Sequence, residues 1–370
     1  MADITIKDIA KRCGVGVSTV SRAINNHPDI NPATRERIMA VVQETGFVPN
    51  DSARCLKRTE TNSIALLVTG ISNPMFTEMI RIMETGVEKR CYSTILRHVG
   101  PQEEPIALAQ TLVRERKVRG IVFLGGEFVH DVNALEQIGV PFVFATVPED
   151  PSASAALNAA RGEGRVRCVK VSIDDTQAGY DAAQYLISLG HERIGLILQG
   201  LDQHSVGQLR FRGFRKALSE QGLSVDESRI QSVTQGPDHF TMRNGYNAAA
   251  ELIARCPDLS AIFCFSDVLA IGACRGLIDA GRRIPEDISV LGCDGIEMGE
   301  YMNPRLTTLR QPFEDIAGEA VRLLFDMIDD KDVRPADHIL RAGVTPREST
   351  GTGPRGRGAG VSGEAVTESA

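Results

Sequence analysis

The spacing of apolar positions changes character near residue 60. Before it, Ile6, Ile9, Ala10 and Cys13 recur at helical intervals, as do Val20 and Ile24, and Ile38, Val41 and Val42. Thr5 with Asp8 three positions on reads as a capping box, with Asp in place of the more usual Glu or Gln. Gly14 supplies a turn before a second helix through Val17–Ile24. Asn31-Pro32 opens a third, a cap followed by proline at the first helical position, and Gly46 closes it. Two short helices about a glycine-containing turn form a helix-turn-helix, whose second helix offers its early residues to base edges in the major groove. Phe47-Val48-Pro49 reads as an extended linker. Residues 50–58 form a marginal helix of about two turns, mostly unfolded alone in water.

Beyond residue 60, apolar runs alternate with helical patterns. The runs predict strands at 63–69, 93–98, 120–124, 141–146, 169–173, 193–198, 261–265, 288–292 and 307–310. Helical patterns cover 74–90, 104–117, 176–189, 208–221, 240–256, 267–280 and 313–329. Such alternation predicts parallel sheets with helices on both faces. About 290 residues is long for one such sheet, so two lobes are expected, with a ligand bound where strand C-termini face a crevice.

Charge sharpens this division. The chain carries −7 overall, which argues against uniform nucleic-acid binding. Residues 1–58 nevertheless hold nine Lys/Arg against six Asp/Glu, a net of +3 that leaves −10 on the rest. A basic head on an acidic body suits a chain that docks one end on phosphate. The eight cysteines form no C-x-x-C pair, and most lie in apolar runs such as Phe263-Cys264-Phe265, so buried free thiols in a reducing cytosol are expected. Neither an apolar signal core nor a stretch of membrane-spanning length is present, which points to a cytoplasmic protein with no membrane contact. There is no Ser/His/Asp set, no phosphate-cradling glycine loop after a strand and no metal cluster, so no enzyme, cofactor or metal is expected. The acid pairs Asp174-Asp175 and Asp329-Asp330 read as caps and solvated faces, and Asp267 as a cap or first-turn acid.

At this level of detail a resemblance becomes specific. Thr5-Ile6-Lys7-Asp8-Ile9-Ala10, Gly14-Val15, Thr19-Val20-Ser21-Arg22 and Pro49-Asn50…Ala53…Leu56 resemble the headpiece and hinge of the LacI (lactose repressor)/GalR family of transcriptional regulators. Gly190-His191-Glu192-Arg193-Ile194-Gly195, Arg210-Phe211-Arg212-Gly213-Phe214, Asp287-Ile288-Ser289-Val290-Leu291-Gly292, Asp294 and Leu306-Thr307-Thr308 are similar to that family's periplasmic-binding-protein-like effector core. The likeness runs to about residue 350. It implies an N-terminal all-α helix-turn-helix headpiece (1–49), a hinge helix and linker (50–59), and an α/β two-lobe core of parallel sheets (60–350) with three crossovers. The N-lobe would take 60–174 and 309–338, and the C-lobe 175–308 and 339–346.

The resemblance also implies function: a sequence-specific regulator, in most of the family a repressor, that binds a palindromic operator as a homodimer under control of a sugar or sugar-derived effector. Its DNA contacts would fall on Thr5, Val17, Ser18, Thr19, Ser21, Arg22, Asn25, Asn50, Ala53 and Leu56. Val17, Ser18 and Arg22 would read bases; Arg22 can grip guanine O6 and N7, worth about 1–3 kcal/mol of discrimination, or else contact phosphate or lie on a solvated face. Leu56 would be a minor-groove wedge, a packing residue between paired hinge helices, or both. Gly16 departs from the serine usual in the family, which removes a side-chain contact at the cap.

For the effector, the resemblance implies Ser72, Asn73, Phe76, Thr146, Arg210, Ser266, Asp294 and Phe313. Arg210 and Asp294 suit a polyol, one donating to vicinal oxygens and the other accepting from hydroxyls. Phe76 or Phe313 would cover an apolar ring face. The alternative is an interlobe salt bridge and two core rings. Thr146 and Ser266 stand where well-known sugar sensors have Asp and Asn, which leaves the ligand's identity open. Residues 148–167 read as a mobile surface insertion and 351–370 as a disordered tail. The tail lacks the leucine heptads of a tetramer, so a dimer is expected. A protein corepressor is a further partner left open. Two rivals stand against this reading: a transporter's solute-binding protein, opposed by the headpiece and the lack of a signal peptide, and a sugar-cleaving hydrolase, opposed by the missing catalytic set.

Overall fold

The computed structural model describes residues 4–24, 29–45, 62–100, 102–126, 132–148, 159, 167–199, 205–233, 240–331, 333 and 337–354. The chain divides into two units, Met1–Thr61 and Asn62–Ala370.

The first unit has three described helices: α1 (Ile6–Cys13), α2 (Val17–Ile24) and α3 (Pro32–Thr45). At the start of α1 the Asp8 carboxylate accepts from the Thr5 backbone N–H at 2.9 Å and from its hydroxyl at 2.6 Å, so the shorter acid serves in the box. Gly14 ends α1 at φ 60°, a left-handed conformation that glycine adopts without strain. Asn31 Oδ1 accepts from the Ala33 N–H at 3.0 Å and opens α3 as expected. A small core closes around Ile9, Ala10, Cys13, Val20, Ala23 and Ile38, with Val41 and Val42 partly buried against it. The predicted linker and hinge helix, and with them Asn50, Ala53 and Leu56, lie outside the described residues, as does Asn25.

The second unit opens with β1 (Ser63–Val68), α4 (Pro74–Glu88), β2 (Ser93–His98), α5 (Pro105–Arg116), β3 (Gly120–Leu124), α6 (Val132–Glu136), β4 (Phe142–Ala145) and β5 (Cys168–Ile173). The chain then passes into α7 (Asp175–Ser188), β6 (Ile194–Gln199), α8 (Val206–Glu220), β7 (Ile230–Val233), α9 (Met242–Arg255), β8 (Ala261–Cys264), α10 (Asp267–Asp279), β9 (Ser289–Asp294) and β10 (Thr307–Arg310). It finishes with α11 (Phe313–Ile328), β11 (Asp337–Leu340) and β12 (Gly343–Thr345). One sheet runs β11-β5-β4-β3-β1-β2 and the other β12-β10-β9-β8-β6-β7. All neighbours are parallel except β12, which is antiparallel to β10. The chain therefore crosses between lobes three times, after β5, after β10 and between β11 and β12.

Burial explains why these strands read as nearly unbroken apolar runs. Every residue of β1, β3 and β5 is buried, as parallel strands covered on both faces require. One apolar cluster runs through both lobes, from Ile64 and Val171 to Phe263 and Leu324; a second covers the other face of the N-lobe sheet and a third that of the C-lobe sheet. Three details differ from expectation. β10 stays in the C-lobe through Arg310, so that crossover falls after residue 310 and not near 308. The single last strand expected at 339–346 is two strands, one in each sheet. Neither α6 nor β7 was anticipated: each is only four or five residues long, too short for a period to show.

Two further expectations need correction. The sequence predicts disorder from Gly351, yet Gly351 N–H donates to Ser289 Oγ at 3.0 Å and Gly353 N–H to the Leu189 carbonyl at 2.7 Å, so residues 351–353 are stitched to the C-lobe. Of the described cysteines, Cys13, Cys168, Cys256, Cys264, Cys274 and Cys293 are buried free thiols, but Cys91 is exposed. Most of the predicted 148–167 insertion lies outside the described residues.

Candidate functional site

In the first unit, the two faces of α2 are chemically distinct. Val20 and Ala23 turn into the core, while Val17, Ser18 and Arg22 are exposed and Thr19 and Ser21 are partly buried. Val17 keeps 39% of its surface in solvent. Lys7, Lys11 and Arg12 on α1 and Arg35 and Arg37 on α3 are exposed as well. Thr5 sits at the α1 N-terminus with its hydroxyl donating to Asp8.

In the second unit, the C-terminal ends of both sheets face a cavity of about 910 Å³. Seven of the eight residues expected for the effector line it: Ser72, Asn73, Phe76, Thr146, Arg210, Ser266 and Asp294. Phe313 is the exception. It is the first residue of α11, 7% exposed, and packs in the apolar cluster shared by the lobes, away from the cavity lining. Phe240 supplies a cavity ring from the C-lobe instead.

Arg210 is held by a partner that the sequence reading assigned elsewhere. Its Nε donates to Asp175 Oδ1 at 3.0 Å and its Nη1 to the Phe265 carbonyl at 2.7 Å. Both side chains are only 8% exposed. Asp174 does cap α7, accepting from the Gln177 N–H at 2.8 Å, but Asp175 points inward and corrects the expectation of a solvated pair. Burial opposes the charge on Arg210, yet the acidic groups around it, Asp175 and Asp294 among them, raise its pKa and keep it protonated. Two glycines make the pairing possible. A Cβ on Gly179 of α7 would collide with the Arg210 carbonyl, and one on Gly213 of α8 with the Thr176 carbonyl. The two helices therefore touch backbone to backbone, which brings Arg210 within reach of the α7 N-terminus.

Asp294, at the end of β9, is the centre of a second network. Its carboxylate accepts from Asn73 Nδ2 and from Gln311 Nε2, each at 2.9 Å. Asn73 also caps α4, its Oδ1 accepting from the Met75 N–H at 3.0 Å. One amide thus caps an N-lobe helix and bonds a C-lobe carboxylate across the cavity. Burial, and next to it the charge of Asp267, push the Asp294 carboxyl up to about 7. Asp267 is a first-turn acid of α10, as expected, and does more: it is fully buried and accepts from the Gly295 and Ile296 N–H groups at 2.7 and 2.9 Å and from the Thr308 hydroxyl at 2.6 Å. It pins the turn that carries Asp294. Ser266 lends its hydroxyl to the Leu269 N–H as the α10 cap, at 3.2 Å. Sequence reasoning missed Asp175, Ser172 and Gln311. Asp175 alone left a signal, since adjacent residues at a helix start point in different directions and only one of them can be the cap.

A helix-turn-helix unit on the same chain as a two-lobe, ligand-sized cavity defines a DNA-binding regulator with a small-molecule sensor. Residues 5–50 match the bacterial regulatory proteins, lacI family, and residues 183–350 match the periplasmic binding protein-like domain. The chain is 36% identical over 335 residues to the HTH-type transcriptional regulator MalR of Clostridium butyricum, covering 88% of this chain and 93% of MalR. It is 31% identical over 346 residues to the HTH-type transcriptional repressor CytR of Escherichia coli (strain K12), covering 94% and 96%. Among solved structures, the complex of the transcriptional regulator CelR with cellobiose superposes with a TM-score of 0.65 at 29% identity, covering 94% of this chain and 99% of that one. The chain belongs to the lacI family of bacterial regulatory proteins: it is a DNA-binding transcriptional regulator, in a family of regulators and not of enzymes. Among the described residues, no helix is long and apolar enough to cross a membrane.

Proposed function

We propose that this protein is a cytoplasmic repressor that binds a palindromic operator as a homodimer and is controlled by a small carbohydrate held between its lobes. The observation that carries the reading is the cavity itself. Arg210 and Asp294 stand on its C-lobe wall, each already oriented by buried partners, and Asn73 faces them from the N-lobe. A guanidinium, a carboxylate and an amide around one space offer donors and acceptors to a polyhydroxy ligand, and preorganised groups lose little entropy on binding. The cellobiose in the related CelR complex supports a sugar, and the repressor CytR supports the regulatory sign. The exposed α2 face, with Val17, Ser18 and Arg22, is the base-reading surface, and Thr5, Thr19, Ser21, Asn25, Asn50, Ala53 and Leu56 complete the contact to DNA.

The two activities are linked. Ligand moves the lobes, the lobes set the spacing of two hinge helices, and that spacing sets operator affinity. Coupling of this kind is about 1–3 kcal/mol and reciprocal, so DNA changes ligand affinity by the same factor. The test is selection of bound sequences from random duplex DNA at a stated salt concentration, followed by sugar titration with and without the recovered site. A short palindrome and two different sugar affinities are expected. Recovery of no motif in the presence of the sugar, or equal affinities, would end the reading. Leu56→Ala is expected to weaken operator binding with the melting of the second unit unchanged.

A further inference from the structure

We infer that the N-lobe floor of the cavity is a second, uncharged subsite in which Ser172 and Thr146 take one hydroxyl of the effector between them. The inference rests on the carbohydrate reading above and narrows it to a ligand that is neutral at this end.

Ser172 lies in β5 and Thr146 directly after β4, and these strands are parallel neighbours with Ala145 opposite Val171. The Thr146 N–H donates to the Val171 carbonyl at 3.0 Å, so the two hydroxyl residues follow directly on paired positions. Both residues line the cavity. Both hydroxyl oxygens are buried, Ser172 to 1% exposure, and neither has a hydrogen-bond partner among the described residues. Buried hydroxyls in folded proteins are almost always paired, and an unpaired one is a standing cost. β5 is buried along its whole length, where an apolar side chain would be the usual choice at 172. Thr146 is also held at φ 56°, a left-handed conformation that a β-branched residue adopts only under constraint. Two unpaired hydroxyls at adjacent strand ends, one of them on strained backbone, fit a ligand group that both donates and accepts.

Charge narrows the ligand. Among the described residues the cavity lining carries four acids, Glu103, Glu104, Asp175 and Asp294, against the guanidinium of Arg210 and the imidazole of His98, with the buried Lys170 of β5 close enough to act on Asp175. Arg210 is already paired with Asp175. A phosphate or carboxylate would enter a cavity whose described lining holds more acids than bases and no lysine. Phe123 and Phe144, stacked at 5.0 Å and buried in the N-lobe core, give the floor an apolar base.

The test is calorimetric titration of the full chain with cellobiose, maltose and ribose, alongside glucose 6-phosphate and gluconate. A neutral sugar is expected to bind more tightly than either anion. Ser172→Ala should then bind that sugar about tenfold more weakly, with a melting temperature no lower than that of the parent protein. Among mono-deoxy forms of the same sugar, one should lose about the same tenfold on the parent protein and nothing further on the variant, the signature of a shared contact. Unchanged affinity in Ser172→Ala, or tighter binding of an anionic sugar, would overturn the inference and leave the carbohydrate reading standing. If no sugar in the panel bound, the carbohydrate reading would fall and this inference with it.

Discussion

On the C-lobe wall of the cavity, polar groups come in closed sets. Arg210 has Asp175 and the Phe265 carbonyl, Asp267 has three donors, and Asp294 has two. On the N-lobe wall the chemistry is looser: stacked rings, the acids Glu103 and Glu104 at the rim, and two hydroxyls without partners among the described residues. The contrast follows from how each wall is built. In the C-lobe, α7 and α8 meet at glycines, so their side chains Asp175 and Arg210 pair, while Asp267 of α10 reaches the turn after β9 and Thr308 of β10. The N-lobe wall is made largely of strand ends and the turns after them, where side chains stand apart. A wall of closed polar sets thus stands opposite one that carries rings and unpaired hydroxyls, and under the proposed function the first keeps its geometry while the second gains partners on binding.

The largest effect should come from opening a closed set. Arg210→Ala leaves Asp175 buried without its counter-charge and should cost about 3–5 kcal/mol in urea unfolding. The double change Arg210→Met with Asp175→Leu should restore most of that stability while sugar binding stays lost. A mild single variant would mean that the C-lobe wall is not held by charge. Next comes the backbone contact beneath that pair. Gly213→Ala must push α7 and α8 apart, at up to about 3 kcal/mol, and should weaken sugar binding although residue 213 touches no ligand. Asn73→Ala removes the bond between the walls and the α4 cap together, for about 1–2 kcal/mol. It should also change the difference in sugar affinity with and without DNA; an unchanged difference would mean that the amide caps its helix and transmits nothing.

The smallest effect is a dependence on pH. Burial, with Asp267 second, raises the Asp294 carboxyl to about 7 from its usual 3.8. Between those values the folded protein holds a proton that the unfolded chain has released, so stability falls as pH rises across the window. Asp294→Asn should flatten that part of the profile in denaturant unfolding followed from mildly acid to neutral pH. A profile identical to that of the parent protein would place the titration on another group.

How much of this was legible in the sequence differs between the two units. In the headpiece, helix starts and stops are local matters. Thr5 with Asp8, Gly14, and Asn31-Pro32 are read from a few adjacent residues, and each stands in the structure where it was expected. In the body, seven of the eight residues expected for an effector line the cavity, while Phe313 does not, because a ring at a helix N-terminus can face either side and only packing chose the core. Asp175 was taken for a solvated acid because its partner lies 35 residues away on another helix.

Sequence alone determined the elements and their order: a capped three-helix head with basic excess, then alternating strands and helices too numerous for one sheet. Local periodicity and short-range capping carry that information. Only the tertiary structure decided the electrostatics of the cavity. Which acid answers Arg210, which amide reaches Asp294 across 221 residues of chain, and which hydroxyls are left unpaired all depend on where crossovers and glycine contacts bring distant segments together. Charge pairing in a buried site is settled by distance in space, and sequence spacing does not report it.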